Sequence, residues 1–302
     1  MAPILHHYPT SPFAELVRMA MGFKGLEWQS VTIPRIAPKP DLAVLSGGYI
    51  RTPVLQIGAD IYCDTAAILA ALEAHSPSPS FFPAPLGALH GIIANWAGGP
   101  QFRAHVGAAM GAMPEGALDA GFVADRKARF GLDISQLGKA APQLAAQTRV
   151  AALWLSQTLA DGRAFIGGDA PGHGDLALAS NIWFVRSVPF ARANAEALTG
   201  LPLVADWFGR MEALGHGTPT EISADAAIAV AAGATPRPVG GSIEAPFSHG
   251  QTVRIQTEGS GDAPVEGTLL KADSTGITIA RSDARAGAVH VHFPRLGQFI
   301  LP

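Results

Sequence analysis

Pro53 heads a short apolar run, Pro53-Val54-Leu55-Gln56-Ile57, and its position constrains the fold more than any other feature of the chain. A proline has no N–H to donate to a ladder, so in a sheet it belongs at the first position of a strand, at an edge or in a special turn. Gly58-Ala59-Asp60 then reads as a tight turn and Ile61-Tyr62-Cys63 as the returning strand. Asp64-Thr65 opens a helix that runs through Ile68, Leu69 and Leu72 to about His75. A cis Thr52–Pro53 bond would turn the Val54 backbone outward, where it can pair with an extended peptide. The trans bond is the default, by roughly twenty to one.

Upstream, Ile4-Leu5-His6-His7-Tyr8 reads as a strand. Ser11 is a good N-cap and Pro12 suits the first helical position, where a missing N–H costs nothing. Phe13 to Met21 then has helical spacing, with Leu16, Val17 and Ala20 on one face. Trp28 to Ile33 reads as a second strand, and Pro34, Pro38 and Pro40 predict an irregular stretch. The order β-α-β, irregular, β-β-α predicts a small α/β domain over residues 1–79, closed by the linker Ser76-Pro77-Ser78-Pro79. Residues 86–233 have helical spacing and no strand-like alternation, so an all-helical domain is expected there, with helices at 89–96, 144–159, 176–188, 203–214 and 223–232. Residues 235–241 read as a second linker. Residues 246–302 alternate at Val253 and Ile255, at Ile277 and Ile279, and at Val289, Val291 and Phe293. They predict a small all-β module of about five strands closing into a barrel.

Three places carry potential chemistry besides Pro53. A helix N-terminus offers free N–H groups and partial positive charge, so with the Thr65 hydroxyl it suits a carboxylate, while Asp64 suits an ammonium. A ligand with both groups on one carbon is an α-amino acid end. A plain helix cap explains the same two residues. Ser11 stands at the mouth of the first helix, where its hydroxyl can donate to a thiolate or serve only as a cap. His290 and His292 share one face of a strand with no third ligand evident, so they read as solvent-facing and no metal is expected. Cys63 reads as a buried inert thiol.

The order and spacing of Ser11-Pro12-Phe13 after the first strand, Thr52-Pro53-Val54-Leu55, and Asp64-Thr65 at a helix start, followed by a helical domain, resembles the glutathione transferase superfamily over about residues 3–232. The resemblance implies a thioredoxin-like α/β domain, an all-α domain and, beyond the family pattern, a small all-β C-terminal module: an α+β multidomain protein. It implies a cis Pro53 and glutathione as co-substrate. Ser11 would stabilise the glutathione thiolate, with Tyr8 as a rival donor. Val54 would pair its backbone with the cysteinyl part, and Asp64 and Thr65 would take the γ-glutamyl end. Arg51, beside Thr52 and Pro53, would meet the glycine carboxylate. Tyr8, Phe13, Trp96, Phe102, Arg103 and His105 would line the second-substrate side, although a helix core or a dimer contact explains the last four equally well. The implied activity is conjugation of the thiolate to an apolar electrophile, with glutathione-dependent isomerisation or reduction as an alternative. A non-catalytic scaffold that binds a partner through its C-terminal module is another. A homodimer is implied, the first domain of one subunit facing the helical domain of the other. The chain departs from the family pattern at Gly172, where a hydroxyl residue three before Asp175 would complete a capping box. A weaker cap is expected there.

Composition narrows the class. The net charge is −3 and no basic run occurs, which argues against nucleic acid. No stretch of about 18 apolar residues predicts a membrane span, and the start of the chain lacks a secretory pattern. With one cysteine, no internal disulfide forms, and the cytoplasm is expected.

Overall fold

The computed structural model describes residues 1–114 and 116–302. The first domain comprises β1 (Ile4–His7), α1 (Pro12–Phe23), β2 (Glu27–Thr32), α2 (Pro40–Ser46), β3 (Val54–Ile57), β4 (Asp60–Cys63) and α3 (Thr65–His75). Strands β1 and β2 are parallel, and β3 is antiparallel to both β1 and β4. This is the thioredoxin-like arrangement. The expected irregular stretch holds α2, which starts at Pro40; proline at the first helical position loses no hydrogen bond. Adjacent residues of a strand point to opposite faces. Leu5 and Leu55 therefore enter one core with α1, α3 and the helical domain, while Ile4, Val54 and Ile61 enter a second core on the other face.

The helical domain carries α4 (Leu89–Trp96), α5 (Phe102–Met110), α6 (Ala120–Phe130), α7 (Leu137–Thr158), α8 (His173–Ser187), α9 (Arg192–Thr199) and α10 (Pro202–Glu212). No helix among the described residues is long and apolar enough to cross a membrane. Asp175, 0% exposed, accepts hydrogen bonds from Gly172 N (3.0 Å), Ile166 N (2.9 Å) and Trp207 Nε1 (2.9 Å). The departure at Gly172 has a steric cause. A Cβ there would come within 2.4 Å of the buried His90 ring, whose Nδ1 lies 4.0 Å from Asp175 Oδ2. The imidazole fills the space that a capping side chain would need, and the half of the box that remains is the Asp175 carboxylate accepting from Gly172 N.

The helical domain ends earlier than expected. Residues 218–221 form β5 (Thr218–Glu221), which pairs in parallel with β2. Its side chains are all exposed, so only backbone pairing defines it and no apolar alternation announces it. Next, α11 (Ala224–Ala232) buries Ala227, Ile228 and Ala231 in the second core, beside α2, and Gln56 Nε2 donates to Ala227 O (2.8 Å). It belongs with the first domain's sheet and not with the helices.

The C-terminal strands are β6 (Thr252–Thr257), β7 (Val265–Asp273), β8 (Gly276–Asp283), β9 (Gly287–Phe293) and β10 (Gln298–Leu301). They do not close into a barrel. Strand β9 pairs in parallel with β4, so all ten strands form one sheet in the order β10-β6-β7-β8-β9-β4-β3-β1-β2-β5. An unpaired β4 edge would leave a row of backbone groups without partners; β9 covers it. The seam also corrects the solvent-facing reading of His290 and His292. His292 bridges Asp60 Oδ1 (2.8 Å) and Thr278 Oγ1 (3.0 Å) and stacks on Tyr62 at 4.5 Å, and His290 Nδ1 bonds Arg237 O (3.1 Å). Arg237 N donates to Asp60 Oδ2 (3.1 Å), so the expected linker lies fastened across the same seam. Burial alone would raise the Asp60 pKa, but His292 and Arg237 hold it below its ordinary value.

A shared sheet and core predict one cooperative unfolding transition. Truncating Ile61, fully buried beside its register partner Val291, as Ile61→Ala is expected to cost about 2–5 kcal/mol. All five tryptophans precede the C-terminal strands. Tryptophan fluorescence and far-UV circular dichroism are therefore expected to give coincident urea transitions that shift together in the variant. Two separated transitions would contradict the shared core.

Candidate functional site

A cleft of about 710 Å³, within the usual range for ligand pockets, opens between the first domain and helices α5 and α6. Ser11 caps α1: its Oγ accepts from Ala14 N (3.2 Å), and Pro12 takes the first helical position. Ser11 is only 2% exposed, yet it lines the cleft. A hydroxyl has two lone pairs and one proton, so capping leaves the O–H to donate. The cap and the donor roles are compatible in one side chain.

Thr52 and Pro53 line the same wall, and their peptide bond is cis. Val54 is not on the cleft surface. It lies in β3 with His6 of β1 on one side and Cys63 of β4 on the other, so its neighbours within the sheet are already strands. The cleft-side backbone at this point is that of Thr52 and Pro53. Asp64 and Thr65 line the cleft at the start of α3. Asp64, at φ 81, is the one non-glycine with positive φ among the described residues, and its carboxylate accepts from Ala66 N (2.9 Å). Such conformations cost of order 1–3 kcal/mol and cluster at functional sites. Burial raises the Asp64 pKa, against the lowering effects of Ala66 N and Arg51. An ammonium placed beside it would relieve that cost.

Helices α4 and α5 are separated at Gly98-Gly99-Pro100, where Gly99 leaves helical geometry (φ −101, ψ −107) and Asn181 Nδ2 holds Ala97 O (2.9 Å). This break directs Phe102 and Arg103 to the cleft. Phe102 packs on Phe13 (4.6 Å) and Phe184 (6.0 Å), which makes an apolar wall beside Ser11 and Tyr8. Two expected members of this wall are elsewhere. Trp96 packs against Trp154 at 6.0 Å. His105 is buried within the helical domain against Gln101 O (2.9 Å), and burial pulls its pKa to about 4, which keeps it neutral. Phe102, Val106 and Met110 share the cleft face of α5 at helical spacing, and His105 falls off that face.

Other residues of the cleft lie outside the motifs that the sequence offers. Lys39, 3% exposed, donates to Thr52 Oγ1 (2.8 Å) and has no carboxylate within 4 Å among the described residues. Burial, with the nearby charges of Arg129 and Arg126, pulls its pKa to about 7. From α6 come Phe122, Arg126, Arg129 and Phe130, and from the β6–β7 loop come Glu258 and Gly259. That loop docks on α6: Gly261 N donates to Arg129 O (2.9 Å), and a Cβ on Gly261 would meet Ala128 O at 2.3 Å. Asp262 then grips Arg129 Nε (2.6 Å) and Nη2 (3.0 Å) and lies 3.4 Å from Arg51 Nε. Arg51, expected to await a ligand carboxylate, is already paired, and it stacks on Phe130 at 5.2 Å. A spacing of Phe122, Arg126 and Phe130 on one helix face is visible in the sequence, but nothing there says that this face meets residues 51 and 262.

Residues 5–80 match the family model described as the N-terminal domain of glutathione S-transferase. Among solved structures, a GST-like protein from Pseudomonas syringae is 37% identical, covering 100% of this chain, C-terminal strands included, and 99% of that one, with a TM-score of 0.83. A glutathione S-transferase from Methylobacterium radiotolerans in complex with glutathione sulfonate is 21% identical, covering 74% of this chain and 98% of that one (TM-score 0.51). A theta class glutathione S-transferase from Xanthomonas axonopodis pv. citri with glutathione bound is 20% identical, covering 69% and 91% (TM-score 0.51). No curated protein matches the chain.

The Asp262 clamp has a pH signature. Burial alone would raise its pKa, but Arg129 holds it below the ordinary 3.8. A carboxylate depressed on folding contributes stability above its unfolded pKa, and that stability is lost as pH falls through the lower folded value. Asp262→Ala is expected to destabilise by about 3 kcal/mol at pH 7, because it strands a buried guanidinium. The gap between variant and wild type, measured by urea unfolding, is expected to narrow as pH falls below 3.8.

Proposed function

The chain belongs to the glutathione transferase superfamily, and from that premise we propose that it binds glutathione in this cleft, holds the sulfur as a thiolate beside Ser11, and transfers it to an electrophile with an apolar body. The observation that carries the reading is convergence: Ser11, Thr52-Pro53 and Asp64-Thr65, far apart in sequence, line one cleft. The γ-glutamyl ammonium would face Asp64, and its carboxylate the Thr65 hydroxyl and the N–H groups of α3. The cysteinyl part would lie along Thr52 and Pro53, with the sulfur at the mouth of α1. The glycine carboxylate would meet Lys39, a buried cation without a carboxylate partner among the described residues. The Ser11 O–H and the α1 dipole both favour a thiolate over a thiol. A new S–C bond then forms and the leaving group departs with its electron pair. The chain's own thiol is no rival nucleophile: Cys63 is fully buried, and burial pushes its pKa well up.

We also propose a homodimer. Ile92 of α4 (66% exposed) and Trp154 of α7 (55% exposed), with Leu89, Val150 and Leu153, leave an apolar face open on the helical domain. The β4 edge is taken by β9, so this face, rather than that edge, would carry the contact. Trp154→Glu is expected to convert a dimer to a monomer in sedimentation velocity.

Calorimetry tests the main reading: no heat from glutathione at millimolar concentration would sink it. Ser11→Ala is expected to keep most of the binding while kcat falls by about 10². Its thermal stability should drop by only about 1 kcal/mol for the lost cap. Lys39 supplies a pH test. Its folded pKa of about 7 lies below the ordinary value, so it is neutral above that pH. A carboxylate docked on it favours the charged form. Binding of S-methylglutathione, which has no thiol proton to release, is therefore expected to take up a proton and to weaken as pH rises above 7. Titrations in two buffers of different ionisation enthalpy read this directly, and Lys39→Gln should abolish it.

A further inference from the structure

We propose that the α6 side of the cleft holds an anionic group of the second substrate, so that the electrophile is an aromatic body carrying a carboxylate or a comparable anion. The inference rests on the glutathione reading, since it names the thiolate's reaction partner. Its starting point is charge. Six cationic side chains, Arg35, Lys39, Arg51, Arg103, Arg126 and Arg129, line the cleft against Asp64 and Glu258, in a chain whose net charge is −3.

Three of the six have a counter-charge or a role already. Arg51 and Arg129 share Asp262, and Lys39 is the cation that the glutathione reading gives to the glycine carboxylate. Arg35 and Arg126 are different. Both guanidiniums pack on the same ring, Phe122, with Cζ at 3.7 Å and 4.7 Å from its centroid, and Arg126 Nη2 donates to the main-chain oxygen of Arg35 (3.0 Å). Arg35 has no carboxylate within 4 Å among the described residues. Arg126 reaches only Asp125, at 3.6 Å, whose carboxylate is shared with Arg129 at 3.7 Å. Arg126 Nε is buried with no hydrogen-bond partner among the described residues. Each guanidinium is drawn to the Phe122 face, but two like charges held on one ring repel each other and neither has a hydrogen-bonded carboxylate partner among the described residues. An anion between them removes the repulsion and satisfies the free N–H groups, and the planar guanidinium fork matches a carboxylate. Phe13, Phe102 and Phe184 line the part of the cleft beside Ser11 and suit the apolar body that would carry the reacting carbon.

The test uses 3,5-dinitrobenzoate and 3,5-dinitrobenzamide, which share a ring and lack a leaving group, so that no turnover intervenes. Each is titrated calorimetrically into the full chain, with and without saturating glutathione. The benzoate is expected to bind at least about tenfold more tightly than the amide in both states. Arg126→Gln and Arg35→Gln should each bring the ratio toward one and leave amide affinity unchanged. Arg35 is exposed, so its variant keeps the test open if Arg126→Gln fails to fold. Equal affinities in the wild type, or a ratio that survives both substitutions, would overturn the proposal. So would displacement of the benzoate by glutathione, which would give these arginines to the glycine carboxylate. A preserved benzoate preference in a chain that does not bind glutathione would overturn the transferase reading alone and leave the anion site standing.

Discussion

The parallel pairing of β9 on β4 is the constraint from which the rest of the molecule follows. It covers the β4 edge of the first domain's sheet, as β5 covers the β2 edge. It merges the C-terminal strands with the second core, so that Ile61 and Val291 lie under one apolar layer. The pairing also brings the β6–β7 loop to α6, where Asp262 reaches Arg129 and Arg51. A buried carboxylate gripped by two guanidiniums ties together three parts of the chain that are more than a hundred residues apart at their extremes. The cleft therefore has a third wall, supplied by a module that the family pattern does not contain.

Charge in the cleft is arranged by pairing as much as by number. Asp262 neutralises Arg51 and Arg129, which would otherwise raise the potential at the start of α3. Lys39 is left with a hydroxyl partner, Thr52 Oγ1, and burial makes its proton labile near neutrality. Arg35 and Arg126 keep their charge against an aromatic ring. The cleft thus runs from the start of α3 at Asp64-Thr65, past Ser11, to a cationic rim. A ligand with one carboxylate at each end and a reaction partner that joins an apolar body to an anionic group would match that gradient.

Much of the first domain was legible in the chain because its signals are local. Proline at 53, the Ser11-Pro12 helix start and the alternation of Ile4 and Leu5 each dictate backbone geometry within a few residues. The helix starting at Pro40 was missed because three prolines in a row of seven residues mask a terminus that tolerates one of them. Strand β5 was missed because Thr-Pro-Thr-Glu carries no apolar face. Gly172 points to a weak cap; the histidine ring of α4 that fills the vacated space and the Trp207 donor on Asp175 come from segments remote in sequence. The family resemblance puts Trp96 and His105 at the cleft, but a helix presents only one face to a cleft, and past the break at Gly98-Gly99 that face is Phe102, Val106 and Met110.

The sequence by itself determined the thioredoxin-like order of elements, the helix N-termini at Ser11 and Asp64, the strand start at Pro53, and the β character of the last fifty residues. These depend on dihedral preferences, caps and period-two patterning, which act between neighbours. Only the tertiary structure decided that the last strands extend the first sheet instead of closing on themselves, that Arg51 is held by Asp262, and that Lys39, Arg35 and Arg126 face one cleft. An edge strand's backbone will accept any suitably placed partner, and a charge finds its counter-charge through space, so neither outcome is written in the residues beside it.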